Sequence, residues 1–165
     1  MVTIGDVFSV VAFLIGLGIT AWALMVSCGL LFPNRVERAR DAAQSRPWGN
    51  IGLGLLVLLP GLIGVLMLQV PAPIIKLVGW TLILAVLGIG ALGSAGLGHL
   101  AGRSLSRMAP QMGDYPAFAR GCAFLVTASL MPILGWFAFG PLALLSGLGA
   151  GARSVFSSER SAVIA

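Results

Sequence analysis

Four long apolar stretches, separated by short polar ones, dominate the hydrophobic pattern of the chain. They run over residues 7–32, 51–70, 74–100 and 121–152. Each reaches the roughly 20 residues that an α-helix needs to cross the ~30 Å hydrocarbon core of a bilayer. The pattern therefore predicts an all-α integral membrane protein, with residues 1–165 forming one domain built as a bundle of about four transmembrane helices.

The fourth apolar stretch is too long for one straight crossing. Pro132, Gly135 and the pair Gly140-Pro141 interrupt it, and a proline inside a helix removes one backbone hydrogen bond. The stretch is either one kinked helix or two half-helices that meet at this break in a re-entrant hairpin. We favour the hairpin, because the tail 153–165 carries two arginines and a hairpin returns that tail to the cytoplasm.

Basic residues are concentrated in two polar segments, 34–47 and 101–120, which we expect to be basic loops. Four lie in the first segment and three in the second, so together they hold seven of the ten Lys and Arg residues: Arg35, Arg38, Arg40 and Arg46, then Arg103, Arg107 and Arg120. Short cytoplasmic loops collect Lys and Arg. Both segments are therefore expected to face the cytoplasm, which places the N-terminus outside. The helix-like spacing of Val36 and Ala39 further predicts a short interfacial helix in the first segment.

The composition supports the membrane assignment. Hydrophobic residues make up 58% of the chain and charged residues 9%, and the mean hydropathy is +1.03, values well outside those of soluble domains. The net charge of +5 does not indicate a nucleic-acid partner, because the basic residues lie between the apolar stretches. Cys28 and Cys122 lie within apolar stretches and form no metal-binding motif, so we expect both to be small buried hydrophobic residues.

The third apolar stretch contains a ladder of small residues, Gly90, Ser94, Gly98 and Gly102. Residues spaced four apart share one face of a helix. Small side chains at that spacing let two helix backbones approach closely, which drives helix association in membranes. The ladder therefore predicts a close-packing face, either inside the bundle or against a partner.

His99 is the chain's one histidine and lies beside Gly98 near the end of the third stretch. A histidine next to small residues is a ligand arrangement found in haem and pigment proteins, so His99 is a candidate cofactor ligand. The more economical interpretation is a hydrogen-bonding residue near the membrane interface. We expect no cofactor and no metal.

No catalytic site emerges from the sequence. None of the five acidic residues lies within an apolar stretch, whereas ion-coupled transporters place ionisable groups at membrane depth. Several hydroxyl residues do lie at depth, but a catalytic serine needs a base, and His99 is poorly placed to serve them. We therefore expect the protein not to be an enzyme.

The segment 124–152 contains Leu130-Met131-Pro132-Ile133-Leu134-Gly135-Trp136, followed by a Leu-rich run that ends in Gly147-Leu148-Gly149-Ala150. It resembles the C-terminal membrane region of bacterial bactofilin-like polymer-forming proteins. The resemblance implies a bacterial membrane module and carries over no catalytic residues.

Three functions remain open at this point. The first is a structural or accessory subunit of a larger complex in the bacterial inner membrane, surrounded by lipid and packed against other subunits or itself. The second is a small transporter or channel for a neutral solute, gated by the helices broken at Pro60 and at Pro132 to Pro141. The third is a haem- or pigment-binding subunit that uses His99.

Overall fold

The computed structural model describes residues 4–45, 47–108, 111, 113–131 and 133–162, with the backbone alone for Ile4 and 157–162. Four stretches are long and apolar enough to cross a membrane: Gly5–Leu31, Pro47–Leu68, Pro73–Met108 and Gly135–Phe156. The predicted all-α, multi-pass membrane bundle is therefore confirmed. The elements in chain order are α1 (Ile4–Leu31), α2 (Pro33–Ser45), α3 (Pro47–Leu68), α4 (Pro73–Met108), α5 (Asp114–Leu130), a π-helical segment (Gly135–Phe139) and α6 (Gly140–Ala162).

Helix α4 is the centre of the bundle and packs against all five other α-helices. Its first half pairs with α3 in an antiparallel hairpin, in which Gly64 and Gly79 face each other and Gly61 faces Val86. Its second half packs against α2, α5 and α6. The α3 helix is continuous through Pro60, the residue at which the sequence predicts a kink.

The segment 34–47, expected to be a basic loop, is largely helical. Helix α2 spans Pro33–Ser45 and buries Val36, Ala39 and Ala43. The helical spacing of the apolar residues therefore predicted the structure of this segment better than its basic residues did. This apolar face does not lie flat on a membrane surface, because Ala39 packs against Gly96 of α4 and clusters with Ala150 of α6. Arg46 lies outside the described residues.

The segment 101–120 is also helical over most of its length, which corrects the second expected loop. Helix α4 continues to Met108 and α5 begins at Asp114, with Pro116 in the first turn of α5, where proline is tolerated. Polarity alone was the wrong criterion for a helix end. At 36 residues, α4 is ~54 Å long, far longer than the hydrocarbon core, so it continues past the membrane as a polar helix.

The last apolar stretch is broken, as the sequence predicts. Helix α5 ends at Leu130, and the π segment begins at Gly135; Pro132 lies outside the described residues. A side chain at Gly135 would meet the carbonyl oxygens of Ser129 and Ala128, so only glycine allows the chain to fold back this tightly.

The position of the break along the bundle favours the hairpin over a straight crossing. Helix α5 starts beside the end of α1, where Phe118 contacts Gly29, and ends with Leu130 against Gly18. Gly18 lies near the middle of α1, so the apex of the hairpin reaches only about half of its length. Helix α6 then crosses α3 and α4, where Gly149 contacts Asn50 and Gly151 contacts Ile89.

Candidate functional site

The predicted ladder on α4 lies against the C-terminal hairpin. Gly90 contacts Leu148 of α6, and the backbone and hydroxyl of Ser94 lie beside Gly147. A Cβ at Gly98 would lie 2.5 Å from Cys122 Sγ, and one at Gly102 would lie 2.5 Å from the carbonyl oxygen of Ala117. The first half of the ladder therefore faces α6 and the second half faces α5.

A second set of small residues on α4 makes contacts that are at least as close. Gly93 lies against Gly147 and Gly151 of α6, and Gly96 lies against Ala39 of α2. These positions do not follow the four-residue spacing of the ladder, so the ladder does not include them. In the sequence they are indicated only by the high density of small residues on every face of α4.

The ladder residues all face helices of the same chain, whereas one side of α1 faces no described helix. Helix α1 packs on α4 and α5 along one side, where Gly18 contacts Leu130 and Trp22 Nε1 donates a hydrogen bond of 2.9 Å to the Ala119 carbonyl. The opposite side carries small residues spaced three or four apart, which matches the helical period. All of them are exposed: Gly5, Ser9, Ala12, Gly16, Thr20, Ala23 and Ser27.

The exposed stripe on α1 consists of short side chains and has no partner within the described chain. The Ser9 and Thr20 hydroxyls donate to the carbonyls of Gly5 and Gly16, each at 2.9 Å. A Cβ at Gly16 would meet no atom within 4 Å. A search for small residues uniformly four apart does not find this stripe, because its spacing mixes three and four and its members include Ser, Thr and Ala.

Hydroxyl groups elsewhere at membrane depth also bond within their own helices. Thr81 donates to Leu77, Thr127 to Ala123 and Ser129 to Leu125 at 2.8–2.9 Å. These bonds satisfy the hydroxyl without a second helix.

His99 lies where α1, α2, α4 and α5 come together at one end of the bundle. Its ring packs against Phe118 with a centroid distance of 5.5 Å, and its buried Nδ1 has no hydrogen-bond partner among the described residues. Two small cavities of about 160 and 220 Å³ adjoin it, and both are lined by Glu37, His99, Asp114 and Phe118. We call these cavities together the His99 pocket.

The His99 pocket gathers polar groups from three helices. Glu37 comes from α2, Asp114 from the first turn of α5, and Arg103 and Ser106 from the polar end of α4. The sequence placed Glu37 and Asp114 in separate loops, so their meeting at His99 depends on the packing of α2 and α5 against α4.

The pocket does not have the features of a metal or haem site. Across the part of the chain that the structure describes, no group of three His, Cys, Asp or Glu side chains could hold a metal ion. Both cavities are smaller than the ~300–1,000 Å³ typical of pockets for drug-sized ligands, and a haem needs more room than such a ligand.

Two larger apolar cavities flank the C-terminal hairpin. One, of about 670 Å³, lies between Leu58 of α3, Ser94 of α4 and the break at Gly135 and Pro141. The other, of about 730 Å³, lies beside Trp48, Leu97 and Phe139. The walls of both cavities are mainly apolar.

Asn50 is a buried polar residue that no sequence motif marks. Its side chain is fully buried, and Nδ2 donates a 2.8 Å hydrogen bond to the Ala42 carbonyl. This bond ties the first turn of α3 to α2. Among the described residues, Oδ1 has no partner.

Comparison with known protein families, curated proteins and solved structures finds no match for the chain. The resemblance of 124–152 to bactofilin-like proteins gains no support from these comparisons.

Proposed function

We propose that the protein is a structural or accessory subunit of a larger complex in the bacterial inner membrane, and that it joins its partner through the exposed stripe on α1. We place the N-terminus outside and the polar ends of α2, α4 and α5 in the cytoplasm. No reaction is assigned to the chain.

The observation that carries this proposal is the contrast between the two sides of α1. One side packs on α4 and α5, whereas the other presents small residues along the whole helix. In lipid, helix association depends on close van der Waals contact and therefore uses such faces. Elsewhere in this chain, small residues face another helix at the contacts between α3 and α4, α4 and α5, and α4 and α6. A stripe of the same kind on α1 favours a helix from another subunit or from a second copy.

The test is the substitution Gly16→Leu, which fills the stripe without disturbing the chain's own packing because the site is open. We expect the association constant for a partner or a second copy, derived from the associated fraction, to fall about tenfold, which corresponds to losing ~1.4 kcal/mol of contact. Extraction in mild detergent, followed by size determination and identification of co-purifying chains, measures that fraction.

Gly52→Leu is the matched control, since Gly52 of α3 is equally open but lies among large side chains. It should leave association unchanged. Equal association of the unmodified chain and Gly16→Leu would refute the proposed interface on α1.

A transporter or channel for a neutral, apolar solute is the second candidate. It is favoured by the cavity of about 670 Å³ beside the hairpin break, since broken helices line the substrate sites of many transporters. Solute-dependent flux in liposomes containing the purified chain alone would favour this function over the accessory role.

A further inference from the structure

The His99 pocket lies where the bilayer meets water. Helix α1 ends at Leu31, and the Arg35 guanidinium lies over the Phe32 ring at 5.8 Å from its centroid. Helix α2, which follows, buries apolar residues and exposes charged ones. An arginine next to an apolar helix end is typical of the interface, where its charge reaches the headgroups. The pocket is therefore at the level of phospholipid headgroups.

The pocket offers groups of both charges that are not paired with one another. In the described part of the chain the salt bridge is Arg40–Asp41, at 2.7 Å, and Glu37, Arg103 and Asp114 form none among themselves. Arg40, Arg103 and Glu37 all act electrostatically on His99, so positive and negative groups lie within range of the same ring.

The buried Nδ1 of His99 needs a hydrogen-bond partner. A buried polar atom without one is costly, and in folded proteins nearly all such atoms are satisfied by protein, water or a ligand. No described side chain fills this role. His99 lines both cavities, so a donor that enters the pocket would satisfy Nδ1 once the imidazole turns this atom towards the cavity.

We propose that the His99 pocket binds the headgroup of a phospholipid that carries both a phosphate and a primary ammonium, as phosphatidylethanolamine does. Arg103 donates hydrogen bonds to the phosphate, while the Ser106 hydroxyl keeps its 3.0 Å hydrogen bond to the Arg103 carbonyl. In this complex the imidazole turns, and the ammonium lies between Glu37 and Asp114 and donates to His99 Nδ1. The cavity volumes, about 160 and 220 Å³, suit a small headgroup whose acyl chains stay in the bilayer.

The first experiment uses the unmodified protein and a methylation series of one lipid. Purified protein is titrated with phosphatidylethanolamine, its mono- and dimethylated forms, phosphatidylcholine and phosphatidylglycerol, and retained lipid is counted by native mass spectrometry. Each methyl group removes one N–H donor, so we expect affinity to fall along the series. Phosphatidylglycerol, which has no ammonium, should bind most weakly. Equal retention of all five lipids would overturn the proposal.

The second experiment uses variants. Arg103→Gln and Glu37→Gln should each weaken retention of phosphatidylethanolamine about tenfold, as expected for loss of a charge-assisted hydrogen bond. Arg107→Gln is the control, because Arg107 is exposed and does not line the pocket. Glu37 is itself exposed, so its substitution should leave folding intact. Retention unchanged in both pocket variants would contradict the proposal.

Competition with soluble phosphoethanolamine shows whether the ligand is a lipid or a free solute with the same headgroup chemistry. If the lipid is the ligand, millimolar phosphoethanolamine should not displace phosphatidylethanolamine, because it lacks the acyl chains that hold the headgroup in place. Full displacement would refute the assignment to a lipid.

Discussion

Gly98 lies at the point where α4 meets the Cys122 side chain of α5. A Cβ at this position would lie 2.5 Å from Cys122 Sγ and 3.4 Å from Cys122 Cα, and Cys122 is completely buried. The sulfur could move, but the α5 backbone behind it could not without separating the two helices. The absence of a side chain at residue 98 therefore sets how closely α5 approaches α4.

Gly98→Leu should lower the free energy of unfolding in detergent by ~1–3 kcal/mol, the usual cost of inserting extra methylene groups into a packed core. Leu87→Ile is the control, since Leu87 is 60% exposed and the change conserves volume. It should cost less than ~1 kcal/mol. Thermal unfolding followed by tryptophan fluorescence compares the two variants. If Gly98→Leu unfolds like the unmodified protein, the close approach at Gly98 is not structurally important.

In the C-terminal hairpin, the local sequence decides where the helix breaks, whereas packing decides where α5 begins and how deep the apex lies. The break could be predicted, because Gly135, Gly140 and Pro141 weaken a helix wherever they occur. The start of α5 at Asp114 could not be predicted, because the apolar pattern begins only after Arg120. The depth of the apex could not be predicted either, since it depends on the contact of Leu130 with Gly18 of α1.

The depth of the apex can be measured with Trp136, which is 59% exposed in the π segment. In a variant that keeps Trp136 and replaces Trp22, Trp48 and Trp80 with Phe, lipids brominated near the bilayer centre should quench its fluorescence most strongly. Strongest quenching by shallow bromines would contradict an apex at half the depth of the bundle. A variant that keeps only Trp48, at the start of α3, should be quenched best by shallow bromines and serves as the control.

The whole molecule has one end at which parts of four helices meet. Phe118 beside Gly29, Ala117 beside Gly102 and Ala39 beside Gly96 bring the end of α1, the end of α4, the start of α5 and helix α2 together. The four spans could be predicted because an apolar window depends on sequence alone. The His99 pocket could not, because its carboxylates come from segments 77 residues apart, at Glu37 and Asp114, and only tertiary packing places them beside one histidine.

Because the packing places both basic segments at the same end, they must lie on one side of the membrane, and their arginines favour the cytoplasm. Single cysteines introduced at Gln44 and Ser104, both exposed, in a chain with Cys28 and Cys122 replaced by Ala, should resist an impermeant thiol reagent in intact cells and react after the cells are opened. A cysteine at Gln69, in the turn between α3 and α4 at the opposite end, should react in intact cells. Labelling of residues 44 and 104 from outside, with 69 protected, would invert the proposed orientation. Opposite labelling of residues 44 and 104 would contradict the packing of α2 against α4 itself, because Gly96 and Ala39 could not then lie in contact.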